Sequence, residues 1–284
     1  MKGCEMAAQR LKTRPQIVEV PLLYQERVNY RPQSFVKPDS HDDDYANIPK
    51  NLVTVPIHNL RGRNPDYDVE GFAIYPHKSK LRDIRDRPFL EGEYSRELHQ
   101  ALLDITGCRR AIITKNIAAR LSPLAKDFPG ERTMIPSPVV HADYNERTGP
   151  AAVARYVSPG ELKDHRFAIF SLWRVISDPP QDNTICLCDA RTVSEEDRQY
   201  VDVYIGTGPI ENRRKMEFTG YTYSPNHLWG YFRDMRRDEL LFIKLYDSDD
   251  SKSWRGAHTG FEDPSAGPAM VPRESVDIRG IAIW

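Results

Sequence analysis

The sequence is poor in cysteine, has no long apolar run and carries almost no net charge, and each shortage removes a class of function. Its four cysteines, Cys4, Cys108, Cys186 and Cys188, lack the spacing of a zinc site, which needs two close pairs or added histidines at short intervals. The one close pair, Cys186 and Cys188, lies inside the apolar stretch TICLCD. All four read as reduced thiols, as expected of a cytoplasmic protein. No stretch approaches the roughly 18 apolar residues of a membrane span. Residues 1–16, MKGCEMAAQRLKTRPQ, have no apolar core of the kind a secretory signal needs. Formal net charge is −1, so no global basic field draws in nucleic acid or an anionic membrane. No glycine-rich loop follows an early strand, which argues against a Rossmann-type methyltransferase.

The 284 residues are 39% hydrophobic and 29% charged, the balance of a soluble globular chain. Residues 1–50 are polar and proline-bearing, with the acidic run HDDDY, and read as an irregular N-terminal arm. Residues 51–284 read as a single domain. LVTVPIH (52–58) and GFAIY (71–75) are strand candidates. SRELHQALLDITG (95–107) is the clearest helix, with Ser95 as N-cap and Gly107 to close it. RRAIITK (109–115) is a further strand, and PAAVARYV (150–157) a shorter helix. From residue 137 onward short strands dominate: PVVHADY, HRFAIFSLWRVI, TICLCD, QYVDVYIG, MEFTGYTYS, HLWGYF, LLFIKLYD and SVDIRGIAIW. Many short strands with turn residues between them predict a mainly β fold, an antiparallel barrel or double-sheet jelly roll.

In PVVHADY an apolar run delivers His141, and Asp143 follows two positions later. Alternate strand residues share a face, so the imidazole and the carboxylate point the same way. Together they make two thirds of the facial triad that holds non-haem Fe(II). A second His-x-acid pair, His41 with Asp43, sits in the polar arm and reads as solvated surface. The third ligand has to be a distant histidine, and His165, His227 and His258 are the candidates. His258 is preferred because Arg273 and Ser275 follow it, fifteen and seventeen residues on, spaced to share a strand face. An arginine fork with an added hydroxyl suits the far carboxylate of a dicarboxylate.

With these residues in order, the chain resembles the non-haem Fe(II)/2-oxoglutarate-dependent oxygenases that include the gibberellin desaturase and a cephalosporin methoxylation component (the asaB/CmcJ-like hydroxylase/desaturases). The resemblance runs from about residue 52 to the C-terminus, through GFAIY, LHQALLDITGCRRAIITKNIAAR, VVHADY, LWRVISDPPQDNTICLCDART, HLWGYF, DELLFIKLYDSD, AHTGFEDP and PRESVDIRGIAI. It implies a double-stranded β-helix (jelly-roll, cupin-like) with a few flanking helices. It also implies Fe(II) held by His141, Asp143 and His258. Arg273 with Ser275 takes the place of the 2-oxoglutarate-binding motif, with Arg279 as second choice. Two positions depart from the family pattern: Val175 stands where proline usually follows the Trp-Arg pair, and Asn145 where a hydroxyl residue is frequent.

The resemblance implies O2 as co-substrate and ascorbate as an accessory reductant. The expected outcome is activation of a C–H bond in a small secondary-metabolite substrate by hydroxylation, desaturation or ring formation. Tyr144, Trp173, Trp229 and Phe261 offer an aromatic wall. Family substrates carry carboxylates, so Tyr144 with Arg191, or Arg174, are the expected substrate contacts; Asp182 and Asp189 are the competing partners of those arginines. The alternative is a non-redox metal cupin, an isomerase or lyase, which has no use for an Arg273 clamp.

Overall fold

The computed structural model describes residues 14–36, 43–125 and 133–284. Two sheets carry the fold. The larger runs in the order β1 (Ile17–Gln25), β4 (Lys50–Asn59), β13 (Trp229–Tyr231), β10 (Asn183–Cys188), β15 (His258–Glu262), β8 (His141–Ala142), β12 (Arg214–Tyr221), β11 (Arg198–Ile205), β2 (Gln33–Val36) and β3 (Asp43–Ala46). The smaller runs β5 (Phe72–Pro76), β14 (Glu239–Asp247), β9 (Phe167–Val175), β16 (Glu274–Ile283), β6 (Arg110–Leu121) and β7 (Thr133–Met134). This is the double-stranded β-helix that the sequence suggests.

The smaller sheet is covered on both faces, so its central strands read as near-continuous apolar runs. In β9, Ile169, Trp173 and Val175 face the larger sheet, where they meet Ile185 and Leu187 of β10. The intervening Ala168, Phe170 and Leu172 face away and pack under helix α1 (Ser95–Thr106) through Leu98, Ala101 and Leu102. β16 alternates likewise: Val276, Ile278 and Ala282 point to the helix. That leaves Ser275, Asp277 and Arg279 in a row on the face turned to the larger sheet. At Gly280 a Cβ would come within 2.9 Å of Leu102 and 3.0 Å of Leu172, so glycine is what lets α1 lie close on the strand.

Three local expectations need correction. Residues 1–50 are not an irregular arm throughout, because β1 pairs with β4 along its whole length and β2 and β3 extend the other end of the sheet. Val18, Val20, Leu22 and Tyr24 alternate inward, and Pro21 is tolerated because β1 is an edge strand. Ser95 does not cap α1. The chain enters it already helical through Arg87–Phe89 and the π-turn Leu90–Tyr94, and the Ser95 hydroxyl donates to the Leu90 carbonyl. Gly107 closes the helix at φ +64° as expected. The PVVHADY stretch pairs as strand only over His141–Ala142, with Val139 bridged to Leu23. Cys108, Cys186 and Cys188 are free and buried, and burial pushes the Cys188 thiol up to about 12, the opposite of an activated nucleophile. Cys4, His41 and Asp42 lie outside the described residues. Among the described residues no helix is long and apolar enough to cross a membrane.

Candidate active site

β8 and β15 are neighbours in the larger sheet, and His258 stands directly opposite His141 across them. Cross-strand partners bring side chains to within about 5 Å, and here the two imidazole centroids are 4.5 Å apart. Val140 and Ala142 turn outward into the apolar layer against β1 and β4. His141 and Asp143 therefore turn inward together. The Asp143 carboxylate lies 3.9 Å from His141 Nε2 and 3.6 Å from His258 Nε2. Two ligands bonded to one small ion at about 2.1 Å can stand up to about 4.2 Å apart, so both separations suit a shared cation. His165 and His227 are elsewhere. His227 stacks on Tyr24 and meets Asp197 at 3.2 Å, a structural role.

The protonation states suit ligation. His141 Nδ1 is 2.7 Å from the Val139 carbonyl, so this nitrogen carries the proton and Nε2 keeps its lone pair toward Asp143. Burial lowers both imidazoles because little water solvates their charged forms, and His258, further opposed by the neighbouring His141, falls to about 3. Burial alone would raise Asp143, but Arg279 and then the two histidines hold it well below the usual carboxylate range. Two neutral imidazoles and one carboxylate are what a divalent metal takes from a protein.

Arg279 does more than the sequence suggested. Its guanidinium donates to Asp143 Oδ2 at 2.9 Å and closes on Asp277, which accepts from Ser171 Oγ at 2.6 Å. Because Asp143 already holds it, Arg279 is the poorer candidate for a co-substrate clamp. Arg273 differs. It is 2% exposed, and its Nη1 donates to Asn183 Oδ1 at 2.9 Å. Its Nε has no partner and, among the described residues, its guanidinium forms no direct ion pair, the nearby Asp182 carboxylate accepting instead from its backbone N–H at 2.9 Å. Burial, with the nearby Arg120 cation, pushes its pKa down to about 9. Ser275, two residues on and within β16, is fully buried, its hydroxyl 3.5 Å from the Arg120 carbonyl.

Arg120 was missed by sequence reasoning. It comes from β6, beyond the stretch 109–115 read as strand, and no motif marks it. Its Nη1 donates to the Ile135 carbonyl at 2.8 Å, and burial lowers its pKa against the pull of Asp277 and Asp143. One small inner cavity has His141, Asp143, His258, Arg120 and Arg273 in its walls, with Trp173 among the apolar ones. As it stands the cavity measures about 30 Å³, so a dicarboxylate enters only as side chains give way. Through Asp143 and Arg279 it adjoins an outer cavity of about 980 Å³ that Tyr144 lines.

Other expected contacts fall outside these cavities. Arg191 is exposed and its guanidinium is taken by Asp189 at 2.6 Å and Glu70 at 2.9 Å. Arg174 is buried, donating to the Tyr94 hydroxyl and the His77 carbonyl. Trp229 donates to Tyr24, and Phe261 packs edge-on against Tyr231, so both belong to the core. Val175 is core too. Asn145 is buried; its Oδ1 accepts from the backbone of Arg147 and Thr148, and its Nδ2 donates to Glu217. It shapes the loop after Asp143.

Comparisons with known proteins identify the family. The family described as Oxidoreductase/YMDC permease-like domain matches residues 22–283. The Fe(II)/2-oxoglutarate-dependent dioxygenase nvfI of Aspergillus novofumigatus is 27% identical over 240 residues, 79% of this chain and 81% of that one. The hydroxylase/desaturase CTB9 of Cercospora beticola is 27% identical over 254 residues, 81% of this chain and 76% of that one. The solved structure of the iron and alpha-ketoglutarate-dependent endoperoxidase NvfI superposes with a TM-score of 0.80 at 23% identity, covering 94% of this chain and 98% of that one. The chain belongs to the oxidoreductase family so described, and its homologues are Fe(II)/2-oxoglutarate-dependent dioxygenases and hydroxylase/desaturases.

Proposed function

We propose that this protein is a cytoplasmic Fe(II)- and 2-oxoglutarate-dependent oxygenase. It acts on a C–H bond of a small, carboxylate-bearing secondary metabolite. One observation carries the reading: a two-histidine, one-carboxylate cluster shares a small cavity with the buried Arg273 and the half-buried Arg120, neither of which forms a direct ion pair among the described residues. The donor set fits a divalent metal, and two guanidiniums with no carboxylate in direct contact fit a dianion. Residues 51–284 form the oxygenase domain, to which β1–β3 add strands.

His141, Asp143 and His258 are the proposed metal ligands, and Arg273 with Ser275 the 2-oxoglutarate contacts, joined by Arg120. When bound, Fe(II) with 2-oxoglutarate and O2 supplies the oxidising power for hydrogen abstraction, with succinate and carbon dioxide as co-products and ascorbate as accessory reductant. The chain's own groups do the rest. The Val139 carbonyl fixes the His141 tautomer. Arg279 keeps Asp143 ionised and aimed inward. Trp173 lies against the Arg273 guanidinium at 5.6 Å, and Ile185 and Ile243 keep that wall dry. Tyr144 stands at the substrate side.

The test is succinate release. Supplied with Fe(II), 2-oxoglutarate and O2, the protein should convert 2-oxoglutarate to succinate, faster with an accepted member of a panel of terpenoid, alkaloid and amino-acid carboxylates. A metal-dependent isomerase or lyase consumes no 2-oxoglutarate. Zero turnover of it by the metal-loaded protein across the panel refutes the oxygenase reading.

A further inference from the structure

The outer cavity has a charge imbalance that the chain as a whole does not share. Seven basic side chains line it against three acidic ones, whereas the formal net charge of the protein is −1. All three acids are already committed. Asp143 is held by Arg279 at 2.9 Å. Asp202 takes Arg31 and Lys215, each at 2.7 Å. Glu217 takes Arg31, Arg147 and the Asn145 amide. Three cations remain over, namely Lys115 of β6, Arg155 just after helix α2 (Thr148–Val153) and Arg214 at the start of β12. None of the three has an ion-pair or side-chain hydrogen-bond partner among the described residues, and all are exposed. A single exposed lysine or arginine is ordinary surface. Three from separate elements, converging on one cavity with the Asp143 carboxylate in its wall, are a local field with no internal counter-charge.

The same wall has an apolar part. Tyr144, Tyr156, Met216 and Ile281 line the cavity, with Tyr156 and Met216 exposed, so apolar surface is gathered on the same wall as the three cations. The two parts describe a ligand with an apolar body and an anionic group.

We propose that Lys115, Arg155 and Arg214 bind the anionic group of an amphipathic small molecule whose apolar body lies along Tyr144, Tyr156 and Met216. This names the substrate class of the site and, for the placement of the reacting carbon near His141, Asp143 and His258, rests on the oxygenase reading. Substrate anion recognition then lies at this rim and not at Arg191, whose guanidinium is already taken. Because the rim is solvated, each contact is weak and the three act together.

Two fluorescent probes of near-identical body test it: anilinonaphthalene sulfonate, which is anionic, and phenylnaphthylamine, which lacks the sulfonate. The wild-type protein should bind the anionic probe about tenfold more tightly at low salt, the sum of three modest exposed contacts. K115Q/R155Q/R214Q should lose that preference and bind the neutral probe as before, while R191Q should change neither affinity. A wild-type protein with no preference for the sulfonate, or a preference that survives the triple substitution, overturns the proposal. Fe(II) and 2-oxoglutarate binding, measured separately on the same proteins, reports on the oxygenase reading. If that binding is absent while the charge preference stands, only the oxygenase reading falls.

Discussion

Replacing Arg273 with leucine separates a clamp from a structural arginine, because the two roles predict opposite signs for stability. In the protein without co-substrate this guanidinium is buried, has no carboxylate partner and stands near a second cation, Arg120. Its depressed pKa reports a cationic form held at a cost on the order of a few kcal/mol. Leucine removes that cost together with one hydrogen bond to Asn183, worth about 1 kcal/mol. The apo variant should therefore unfold at the wild-type temperature or a few degrees above it. Co-substrate affinity moves the other way. Losing one partner of a buried charge pair costs roughly 2–5 kcal/mol, about 30-fold to a few thousand-fold in affinity. Arg273→Lys keeps the charge but loses the fork and should fall between. The assays are apo thermal unfolding and the KM for 2-oxoglutarate at saturating Fe(II). If R273L unfolds well below wild type while its KM is unchanged, Arg273 is structural and the clamp assignment is wrong.

Other predictions follow from the same contacts. Arg279→Met leaves Asp143 and Asp277 as buried carboxylates without their cation, at a cost of about 3–5 kcal/mol near neutral pH. Saturating Mn(II) should restore much of that, since the metal replaces the lost counter-charge at Asp143; equal stability of the metal-free variant and wild type would contradict this, by denaturant unfolding. His227 has its folded-state pKa lowered by burial, against the pull of Asp197. The unfolded chain then binds the extra proton first, so its contribution is intact above about 6.5 and lost as pH falls below it, at no more than about 1.4 kcal/mol per pH unit. His227→Gln should flatten that part of the stability–pH curve, and an unchanged slope refutes the assignment. Gly280→Ala should cost about 1–3 kcal/mol by pressing β16 against Leu102 and Leu172; a thermal midpoint equal to wild type would show that α1 moves aside freely.

Much of this was legible in the sequence, and for identifiable reasons. The strands from residue 137 onward announce themselves through alternation and turn residues, and the i, i+2 spacing of His141 and Asp143 survives even though only two residues there pair as strand. Arg273, immediately before β16, and Ser275, its second residue, keep the same i, i+2 spacing and are both buried. β1 was hidden because Pro21 and the polar surroundings mask its alternation, which an edge strand permits. Arg120 was hidden because a lone arginine in a strand carries no signature; only packing brings it to the cavity wall with Arg273. For Arg191 the sequence left a substrate contact and a pair with Asp189 both open; in the fold Asp189 holds it, joined by Glu70, which is distant in the chain. The outer rim was invisible as well, since Lys115, Arg155 and Arg214 are far apart in the chain and meet only when β6, α2 and β12 do.

The most direct test of the central claim is anaerobic titration of the metal-free protein with Fe(II) in the presence of 2-oxoglutarate, followed in the visible range. The account predicts a weak charge-transfer band that saturates at one Fe(II) per chain, is lost in His258→Ala because the metal no longer binds, and is lost in Arg273→Leu although the metal still does. A wild-type protein that stays colourless, or a band of full intensity in His258→Ala, would contradict it.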